Sequence, residues 1–392
     1  MVAHQSRRGK RPRVDRGLAR PYRQGHGPLQ RARRPMSRPL IGRMAPSPTG
    51  QLHLGNVRSL ALAWLAAKAQ GGQIYLRIED LAPAAAASTA ELIADLAWLG
   101  LAWDAPDNAA LHWPEPAGQA WWVQSQRGAL YAAVVDQLLA AGRAYPCVCT
   151  RKDIERAATA PHAEDGGPVY PGTCRGRFAT VGEARAWEVR QAEAACRAPM
   201  GCAVRLKVAD QPLHFNDMCR GPQTVDVAAS AGDIVIARKD GGFAYMLAVV
   251  VDDLAMGVTQ VVRGDDLLAA TGQQLAIYQA IAELAVTLAA QPGPLQPFWQ
   301  RAMVWQPPDH AHVALVVGDD GRRLAKRNQS VHLQQIRAAG VTAADIRRWV
   351  AQTSGVPTDT DWMAMAQRFD WGGVARQAVL FGEAALAKLL RR

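Results

Sequence analysis

The chain has 392 residues, of which 49% are hydrophobic, and it carries a formal net charge of +11. A chain of this length and composition can bury a sizeable core, which excludes a wholly disordered protein and indicates two or three domains. No apolar run reaches the roughly 18 residues of a membrane helix, and the basic N-terminus lacks the apolar run of a secretory signal. We therefore expect a cytoplasmic protein without a membrane span.

Residues 1–37 differ from the rest of the chain in charge and composition. Up to Arg38 there are twelve Lys or Arg residues and the single acid Asp15, which account for the whole formal charge of +11. The segment is rich in Arg, Gly, Pro and Gln and poor in apolar residues, so we expect it to be disordered. Two explanations stay open, an RNA-binding arm and a start assigned too far upstream, with Met36 as the initiator.

A strand–helix–strand unit follows at residues 40–78. The apolar run 40–44 leads into a Pro- and Gly-rich loop, then into a periodic apolar stretch at 57–69 and a second apolar run at 74–78. Such a unit is a right-handed parallel crossover of a doubly wound sheet, which binds ligands beyond the carboxyl ends of its strands. We therefore expect a ligand site at the first loop.

The first loop contains residues suited to phosphate binding. His53, Gly55 and Asn56 stand at the start of the predicted helix, where free backbone N–H groups and the helix dipole favour an anion. Gly55 has no Cβ to keep a nucleotide from the backbone, and the His53 ring can donate to a phosphate oxygen. An ordinary polar helix cap is the alternative for His53.

Together these segments resemble the glutamyl branch of the class I aminoacyl-tRNA synthetases. The resemblance rests on Arg-Met-Ala-Pro-Ser-Pro-Thr-Gly-Gln-Leu-His-Leu-Gly at residues 43–55 and on Arg-Ile-Glu-Asp at residues 77–80. The HIGH-like region of that family corresponds here to Pro46, Ser47, Pro48, Thr49, Gly50, Gln51, Leu52, His53, Leu54, Gly55 and Asn56. The resemblance implies that His53, Gly55 and Asn56 bind ATP, with Asn56 in the place of the second His.

The same resemblance implies a glutamate site. Its implied members in this part of the chain are Arg43, Met44, Ala45, Pro46, Ser47 and Glu79. Arg43 would supply the charge-assisted donors that a carboxylate needs, and Glu79 would hold the α-ammonium group. A surface carboxylate in a loop is the alternative for Glu79, and the sequence departs from the family pattern at 81–84.

Three cysteines in the middle of the chain have the spacing of metal ligands. Cys147 and Cys149 are one residue apart, and Cys174 follows on what we predict to be a returning strand. Three thiolates and a fourth ligand suit a tetrahedral Zn²⁺ site, and the spacing alone favours His162 or water as the fourth. Three buried free cysteines are the alternative. The remaining cysteines, at positions 196, 202 and 219, lack such spacing.

Residues 233–279 match the glutamyl family densely. We predict buried strands at 249–251 and 258–262, because both are β-branched runs bounded by charged residues or Gly. The resemblance implies that Tyr245 and Arg263, at the edges of these runs, line the amino-acid pocket, with Arg263 binding the side-chain carboxylate of the substrate. A salt bridge from Arg263 to Asp265 or Asp266 is the alternative.

A basic loop follows the strand-like run that ends at Val317. Its residues Arg323, Leu324, Ala325, Lys326 and Arg327 resemble a degenerate KMSKS loop of the class I synthetases. Lys326 would neutralise the charge that grows on the departing pyrophosphate. A solvated surface turn is the alternative for a basic loop of this kind.

The C-terminal region is short and predicted to be helical. Only 65 residues follow Arg327, with amphipathic patterns at 331–339, 343–353, 363–368 and 374–390. This leaves no room for the anticodon-binding region of a full glutamyl-tRNA synthetase. Together with a Cys-x-Cys and Tyr-x-x-x-Cys element, this makes the chain similar to the glutamyl-Q tRNA(Asp) synthetases. That similarity implies Tyr170 as the fourth ligand beside Cys147, Cys149 and Cys174.

We therefore expect a doubly wound Rossmann-type parallel sheet with a zinc-bearing α/β insertion and a short helical C-terminal region. The expected boundaries are 1–37 for the basic extension, 38–140 and 226–320 for the halves of the catalytic domain, 141–225 for the insertion and 321–392 for the ATP loop and stem-contact region. The implied activity forms glutamyl-adenylate from L-glutamate and ATP, with Mg²⁺, and transfers glutamate to queuosine in tRNA(Asp). We expect one structural Zn²⁺ and a monomer. The alternatives are a shortened glutamyl-tRNA synthetase that charges tRNA(Glu) and a non-catalytic RNA-binding paralogue.

Overall fold

Strands and helices alternate along most of the described chain. The computed structural model describes residues 38–48, 51–81, 89–105, 122–157, 168–324 and 332–390. The described residues from Pro39 onward belong to one compact unit. Within these ranges, none of the helices combines the length and the apolar character needed to cross a membrane.

The strands are short and are spread over the whole described chain. They are β1 Ile41–Met44, β2 Gln73–Ile78, β3 Trp122–Val123, β4 Ala144–Cys147, β5 Ala203–Leu206, β6 Leu213–Asp217, β7 Gly221–Val225, β8 Ile234–Ala237, β9 Gln260–Gly264, β10 Asp309–Val313, β11 Val316–Val317 and β12 Val379–Leu380.

The helices connect these strands and make up most of the C-terminal region. They are α1 Leu54–Lys68, α2 Thr89–Leu99, α3 Gly128–Ala140, α4 Arg151–Ala157, α5 Val181–Ala194, α6 Val227–Ser230, α7 Tyr245–Met256, α8 Leu268–Leu288, α9 Gln296–Met303, α10 Leu333–Ala338, α11 Ala343–Ser354, α12 Trp362–Gln367 and α13 Glu383–Leu390. Short 3-10 turns span Gln124–Arg127, Asp265–Leu267 and Trp371–Gly373.

The central layer consists of two sheets that stand side by side. The first has the parallel order β1-β2-β3, and the second has the order β7-β6-β10-β9, in which only β7 runs antiparallel to its neighbour. The Thr259 amide donates to the Ile41 carbonyl oxygen at 2.8 Å, and the Ile41 amide donates to the Thr259 hydroxyl at 2.8 Å. The chain order therefore reverses between β1 and β9, which is the switch point at which ligands bind in such sheets. The predicted parallel α/β sheet is confirmed.

The loop that the sequence predicts to bind phosphate lies at the N-terminal end of helix α1. The His53 Nδ1 atom caps it by accepting from the Asn56 amide at 3.3 Å. Most of the helix is buried, because it packs against β1, β2 and β9 on one side and against α12 on another. A helix that is apolar all round requires such enclosure.

The predicted strand at Val249–Val251 is wrong, because these residues lie in α7. Every residue of α7 from Leu247 to Met256 is buried, so its sequence has no polar face from which a helical period could be recognised. The helix ends at Gly257, whose φ of 68° is the left-handed conformation that favours glycine at a helix end. Tyr245 is therefore the first residue of a helix and not the edge of a strand.

The region between β3 and α7 carries a small antiparallel sheet in the order β4-β5-β8. Cys147 is the last residue of β4, whereas Cys174 lies in a turn, so the predicted returning strand at Cys174 is wrong. The domain boundaries proposed from the sequence stay a prediction.

The C-terminal region is helical as predicted, with one exception. Helices α10, α11 and α12 lie within a few residues of the predicted ranges, but the helix predicted at 374–390 begins only at Glu383. The preceding residues form β12, because the Val379 amide donates to the Leu315 carbonyl oxygen and the Phe381 amide to that of Val317, both at 2.8 Å. These bonds attach the end of the chain to β11, next to the base of the predicted ATP loop.

Candidate active site

A cavity of about 590 Å³ opens at the switch point between β1 and β9. It is lined by most of the residues that the sequence predicted for the glutamate and ATP sites. These are Arg43, Ala45, Pro46, Ser47, Gln51, Leu52, His53, Gly55, Asn56, Glu79, Tyr245, Arg263, Arg323 and Leu324. Met44 and Leu54 instead lie fully buried in the hydrophobic core, and Pro48 is not part of the lining. Thr49, Gly50, Ala325, Lys326 and Arg327 lie outside the described residues.

Glu79 is held at the end of β2 by a buried arginine. The Arg77 Nη2 atom donates to Glu79 Oε1 at 2.9 Å, and Arg77 Nη1 donates to Asp253 on α7. Arg43 Nε lies 3.7 Å from the same Asp253 carboxylate, and the Tyr278 hydroxyl donates to its other oxygen at 3.0 Å. Arg77 therefore orients the carboxylate that faces the cavity, while Asp253 links the arginines of β1 and β2.

The electrostatics of this network follow from burial and pairing. Burial raises the pKa of Glu79, and Arg77 and Arg43 offset only part of that rise. Burial would also raise the pKa of Asp253, but the neighbouring Arg77 and Arg43 outweigh it and lower that pKa. Burial, together with the charge of Glu79, raises the pKa of Tyr245 to about 12, so this phenol is a neutral hydrogen-bonding group at neutral pH.

Arg263 projects from β9 and is buried without a carboxylate partner among the described residues. Its Nε atom donates to His312 Nε2 at 3.0 Å, and its Nη2 atom donates to the Thr271 hydroxyl at 2.8 Å. Its Nη1 atom is buried and has no hydrogen-bond partner in the described part of the chain. Burial lowers the pKa of Arg263, with a further contribution from the nearby charge of Arg43.

The salt bridge considered as an alternative role for Arg263 is not formed. Asp265 pairs with Arg220, and Asp266 pairs with Arg323. Arg263 therefore keeps its charge and one unsatisfied nitrogen in a buried position that lines the cavity. A buried cation of this kind is costly unless an anion pairs with it, so the arrangement suits an anionic group on a ligand.

The start of α1 provides the second part of the cavity. A Cβ at Gly55 would lie 3.0 Å from the His53 ring, so the absence of a Cβ lets the ring lie this close to the backbone without a shift. The segment before α1 is attached to the C-terminal region. The Leu333 amide donates to the Leu52 carbonyl oxygen at 2.8 Å, and Gln51 Nε2 donates to Gln334 Oε1 at 2.5 Å.

The base of the predicted ATP loop is a tight turn at the rim of the cavity. The Gly318 amide donates to the Arg322 carbonyl oxygen at 2.9 Å, and Gly321 has a φ of 70°. Arg323 pairs with Asp266 in the 3-10 turn after β9. The turn is therefore connected to the strand that carries Arg263.

The three predicted metal-binding thiols come together outside the cavity. The sulfur atoms of Cys147, Cys149 and Cys174 lie within 4.8 Å of one another. The Tyr170 hydroxyl oxygen is 3.4 Å from the Cys147 sulfur and 3.9 Å from that of Cys149. Arg205 lies over the Tyr170 ring at 3.7 Å and donates to the Cys147 sulfur at 3.4 Å. Three sulfur donors and one oxygen around a common centre fit a tetrahedral zinc ion.

Comparison with known proteins agrees with this geometry. The family model for tRNA synthetases class I (E and Q), catalytic domain, matches residues 40–289. A glutamyl-Q tRNA(Asp) synthetase from Nitratidesulfovibrio vulgaris is 44% identical over 321 residues, which cover 81% of this chain and 87% of that protein. Another from Symbiobacterium thermophilum is 39% identical over 357 residues, which cover 89% and 98%. The chain belongs to the glutamyl-Q tRNA(Asp) synthetase family. It is a ligase-type enzyme of class I.

A solved synthetase structure shares the fold. The crystal structure of a glutamate tRNA ligase from Elizabethkingia meningosepticum, in complex with its amino acid, matches with a TM-score of 0.65 and 24% identity. The match covers 90% of this chain and 69% of that one. The resemblance to class I synthetases inferred from residues 43–56 and 77–80 is therefore confirmed at the level of the family and the fold.

The sequence did not predict several side chains of this synthetase site. The motif at 77–80 includes Arg77 without indicating its role, and Asp253, His312 and Asp217 are not among the predicted site residues. Asp253 could have been found, because a carboxylate within a continuous apolar run must be paired when it is buried. His312 and Asp217 lie on separate strands 95 residues apart, so their contact required the sheet order.

Proposed function

We propose that this enzyme condenses L-glutamate with ATP, in the absence of tRNA, to glutamyl-adenylate and pyrophosphate. In a second step it transfers glutamate to the queuosine base in the anticodon of tRNA(Asp). The observation that carries the first step is the buried Arg263, whose Nη1 atom has no partner within the described ranges and which lines the same cavity as Glu79. An amino acid with a carboxylate side chain supplies the anion that Arg263 lacks, and its α-ammonium group supplies a cation for Glu79.

The charges of the cavity favour glutamate over glutamine. Among the described residues, the Asp, Glu and Arg side chains that line it are the cations Arg43, Arg263 and Arg323 and the anions Glu79 and Asp266. This excess of one positive charge is balanced by glutamate, which has two carboxylates and one ammonium group. Glutamine is neutral overall and leaves Arg263 without an anion, a mismatch that costs several kcal/mol, on the order of 3 to 5 for a broken buried ion pair.

Each end of the amino acid has its own partner in the proposed complex. Arg263 binds the side-chain carboxylate, and Glu79 binds the α-ammonium group. Arg43 and Ser47 orient the α-carboxylate, while Tyr245 donates from its neutral hydroxyl. The α-carboxylate oxygen then attacks the α-phosphorus of ATP, and the bond to the pyrophosphate leaving group breaks.

ATP is proposed to lie over the start of α1. His53 and Gly55 present a ring N–H group and a helix N-terminal amide to the phosphates, while Asn56, whose amide donates to His53 Nδ1, lines the same part of the cavity. Lys326, which lies outside the described residues, is proposed to neutralise the departing pyrophosphate, because it follows the cavity-lining Arg323 by three positions in the sequence. Mg²⁺ arrives with ATP and offsets phosphate charge, and no side chain of this chain is assigned to it.

Zinc is proposed to have a structural role at Cys147, Cys149, Cys174 and Tyr170. Bound there, it joins the end of β4 to the turn that holds Cys174, at a distance from the reacting groups. Arg205 lies against Tyr170 and Cys147 and offsets the negative charge of the thiolates. This cluster supplies no group to the adenylation step.

Glutamate-dependent exchange of labelled pyrophosphate into ATP tests the first step. Purified enzyme with Mg²⁺ and L-glutamate, without tRNA, is expected to exchange, and glutamine is expected to be a poor substitute. Absence of exchange by zinc-loaded enzyme would favour the non-catalytic alternative. Exchange only after tRNA is added would contradict activation without tRNA.

The acceptor is tested with tRNA that differs only in queuosine. The proposal that queuosine is the acceptor is supported by the two relatives named glutamyl-Q tRNA(Asp) synthetase, of whose length this chain covers 87% and 98%. Labelled glutamate is expected to enter tRNA(Asp) that carries queuosine and not the same tRNA that carries guanine. Labelling that is independent of queuosine, or that is confined to tRNA(Glu), would favour the shortened glutamyl-tRNA synthetase instead.

A further inference from the structure

Three adjacent parallel strands each place one polar side chain behind the cavity. Arg263 on β9 lies directly opposite His312 on β10, and His312 contacts Asp217 at the end of β6. All three side chains are at least 95% buried. None of the functional assignments made above gives a role to His312 or Asp217.

The hydrogen bonds fix the position of each proton in this arrangement. The Asp217 carboxylate accepts from the amides of Cys219, Arg220 and His312 at 2.8 to 3.1 Å and contacts His312 Nδ1 at 2.6 Å. A carboxylate with so many donors is ionised, so the proton between the two side chains belongs to His312 Nδ1. Arginine nitrogen only donates, so His312 Nε2 must accept from Arg263. The imidazole is therefore neutral, with its proton on Nδ1.

This neutral acceptor orients Arg263 without cancelling its charge. His312 binds the Nε–H group, and Thr271 binds Nη2, so the plane of the guanidinium is fixed and Nη1 is left over. A carboxylate in the place of His312 would hold the guanidinium equally well but would also neutralise it. An anionic ligand would then gain much less from Arg263.

We infer that His312, held in one tautomer by Asp217, positions Arg263 for the side-chain carboxylate of the substrate and thereby determines the preference for glutamate over glutamine. His312 and Asp217 are positioning residues, since neither lines the cavity. The inference rests on the proposed function, because it assumes that Arg263 binds the carboxylate.

Pyrophosphate exchange with three variants tests this inference. His312→Leu removes the acceptor, and we expect the KM for glutamate to rise roughly 10- to 100-fold, the value of a hydrogen bond to a charged group. The KM for ATP is expected to stay unchanged, and the preference for glutamate over glutamine to fall. His312→Gln retains a neutral acceptor and is expected to restore most of the glutamate affinity.

Asp217→Asn tests the tautomer separately. The asparagine amide donates to His312 Nδ1, which moves the ring proton to Nε2, where it faces the Arg263 Nε–H group. We expect the KM for glutamate to rise as in His312→Leu. If His312→Leu does not fold, the inference is still tested by comparing the glutamate KM of Asp217→Asn with that of His312→Gln.

His310→Gln is the matched control. His310 is the other buried histidine of β10, and its ring stacks on that of His312 with centroids 6.0 Å apart, but its ring is not bonded to Arg263 in the described structure. A merely structural role for His312 predicts equal effects of His310→Gln and His312→Leu on glutamate KM and on thermal unfolding. Equal effects, or an unchanged glutamate KM in both His312→Leu and Asp217→Asn, would overturn the inference. Wild-type enzyme that fails to exchange with glutamate would instead overturn the proposed function.

Discussion

Replacing Arg263 by alanine should weaken glutamate binding while changing the stability of the fold little. The guanidinium is 95% buried and has no carboxylate partner in the described structure, so its loss leaves no protein anion unpaired. Among the described residues, the folded state loses the bonds to His312, to Thr271 and to the Leu267 carbonyl oxygen, while it is relieved of a buried charge. We therefore expect a small change in the midpoint of thermal unfolding.

The effect of Arg263→Ala on glutamate should be large. Removing one partner of a buried, hydrogen-bonded charge pair costs about 3 to 5 kcal/mol, or roughly a 10²- to 10⁴-fold rise in KM. The measurement is the initial rate of pyrophosphate exchange as a function of glutamate, with ATP saturating. The KM for ATP should stay as in the wild type, because the phosphate-binding segment is unchanged.

Arg127→Ala provides a matched contrast. Arg127 is as deeply buried as Arg263, but its Nε atom donates to the Asp252 carboxylate at 2.7 Å, outside the cavity lining. Its removal should destabilise the fold by about 3 to 5 kcal/mol and leave the glutamate KM of the folded enzyme unchanged. The reasoning is refuted if Arg263→Ala behaves like Arg127→Ala, with lost stability and an unaltered glutamate KM.

Three further outcomes are expected. Cys149→Ser should lower the zinc content per chain measured by mass spectrometry, whereas Cys196→Ser, at an exposed cysteine outside the cluster, should not. Burial raises the pKa of Asp95 to about 6 in the folded protein, above the roughly 4 of an unfolded chain. The fold therefore loses stability as the pH rises from about 4 to about 6, and this loss persists at higher pH. Asp95→Asn should therefore add about 1 to 2 kcal/mol of stability in denaturant unfolding at pH 8 and nothing below pH 4, and an equal gain at both would contradict the assignment. Gly257→Ala should cost about 1 kcal/mol, because its φ of 68° is strained for alanine, and an unchanged unfolding midpoint would contradict this.

The sequence was sufficient to predict the site residues wherever a motif combined several chemical requirements. Arg43, Glu79 and Arg263 come from distant segments, yet the structure places all three in one cavity. Local patterns were enough for α1 and its flanking strands, because their apolar periods differ and glycines separate them. The predicted thiol cluster also came together, since its spacing reflects the short distances that a metal requires.

Other features depended on packing that a single sequence does not reveal. Val249 lies in a helix that is enclosed on all sides, and such a helix has the same apolar run as a buried strand. Val379 forms a strand because it pairs with β11, and its own segment has a helical pattern. The contact between His312 and Asp217 exists only because β6 and β10 are neighbours, which follows from the sheet order and not from either local sequence.

The bonds between residues 51–53 and 332–334 have a consequence for synthesis on the ribosome. Gln51 and Gln334 are 283 positions apart, so the segment in front of α1 leaves the ribosome long before its partner. Contacts of such separation form late in folding. A nascent chain therefore carries the N-terminal end of α1 without this support until residues 332–334 have been made.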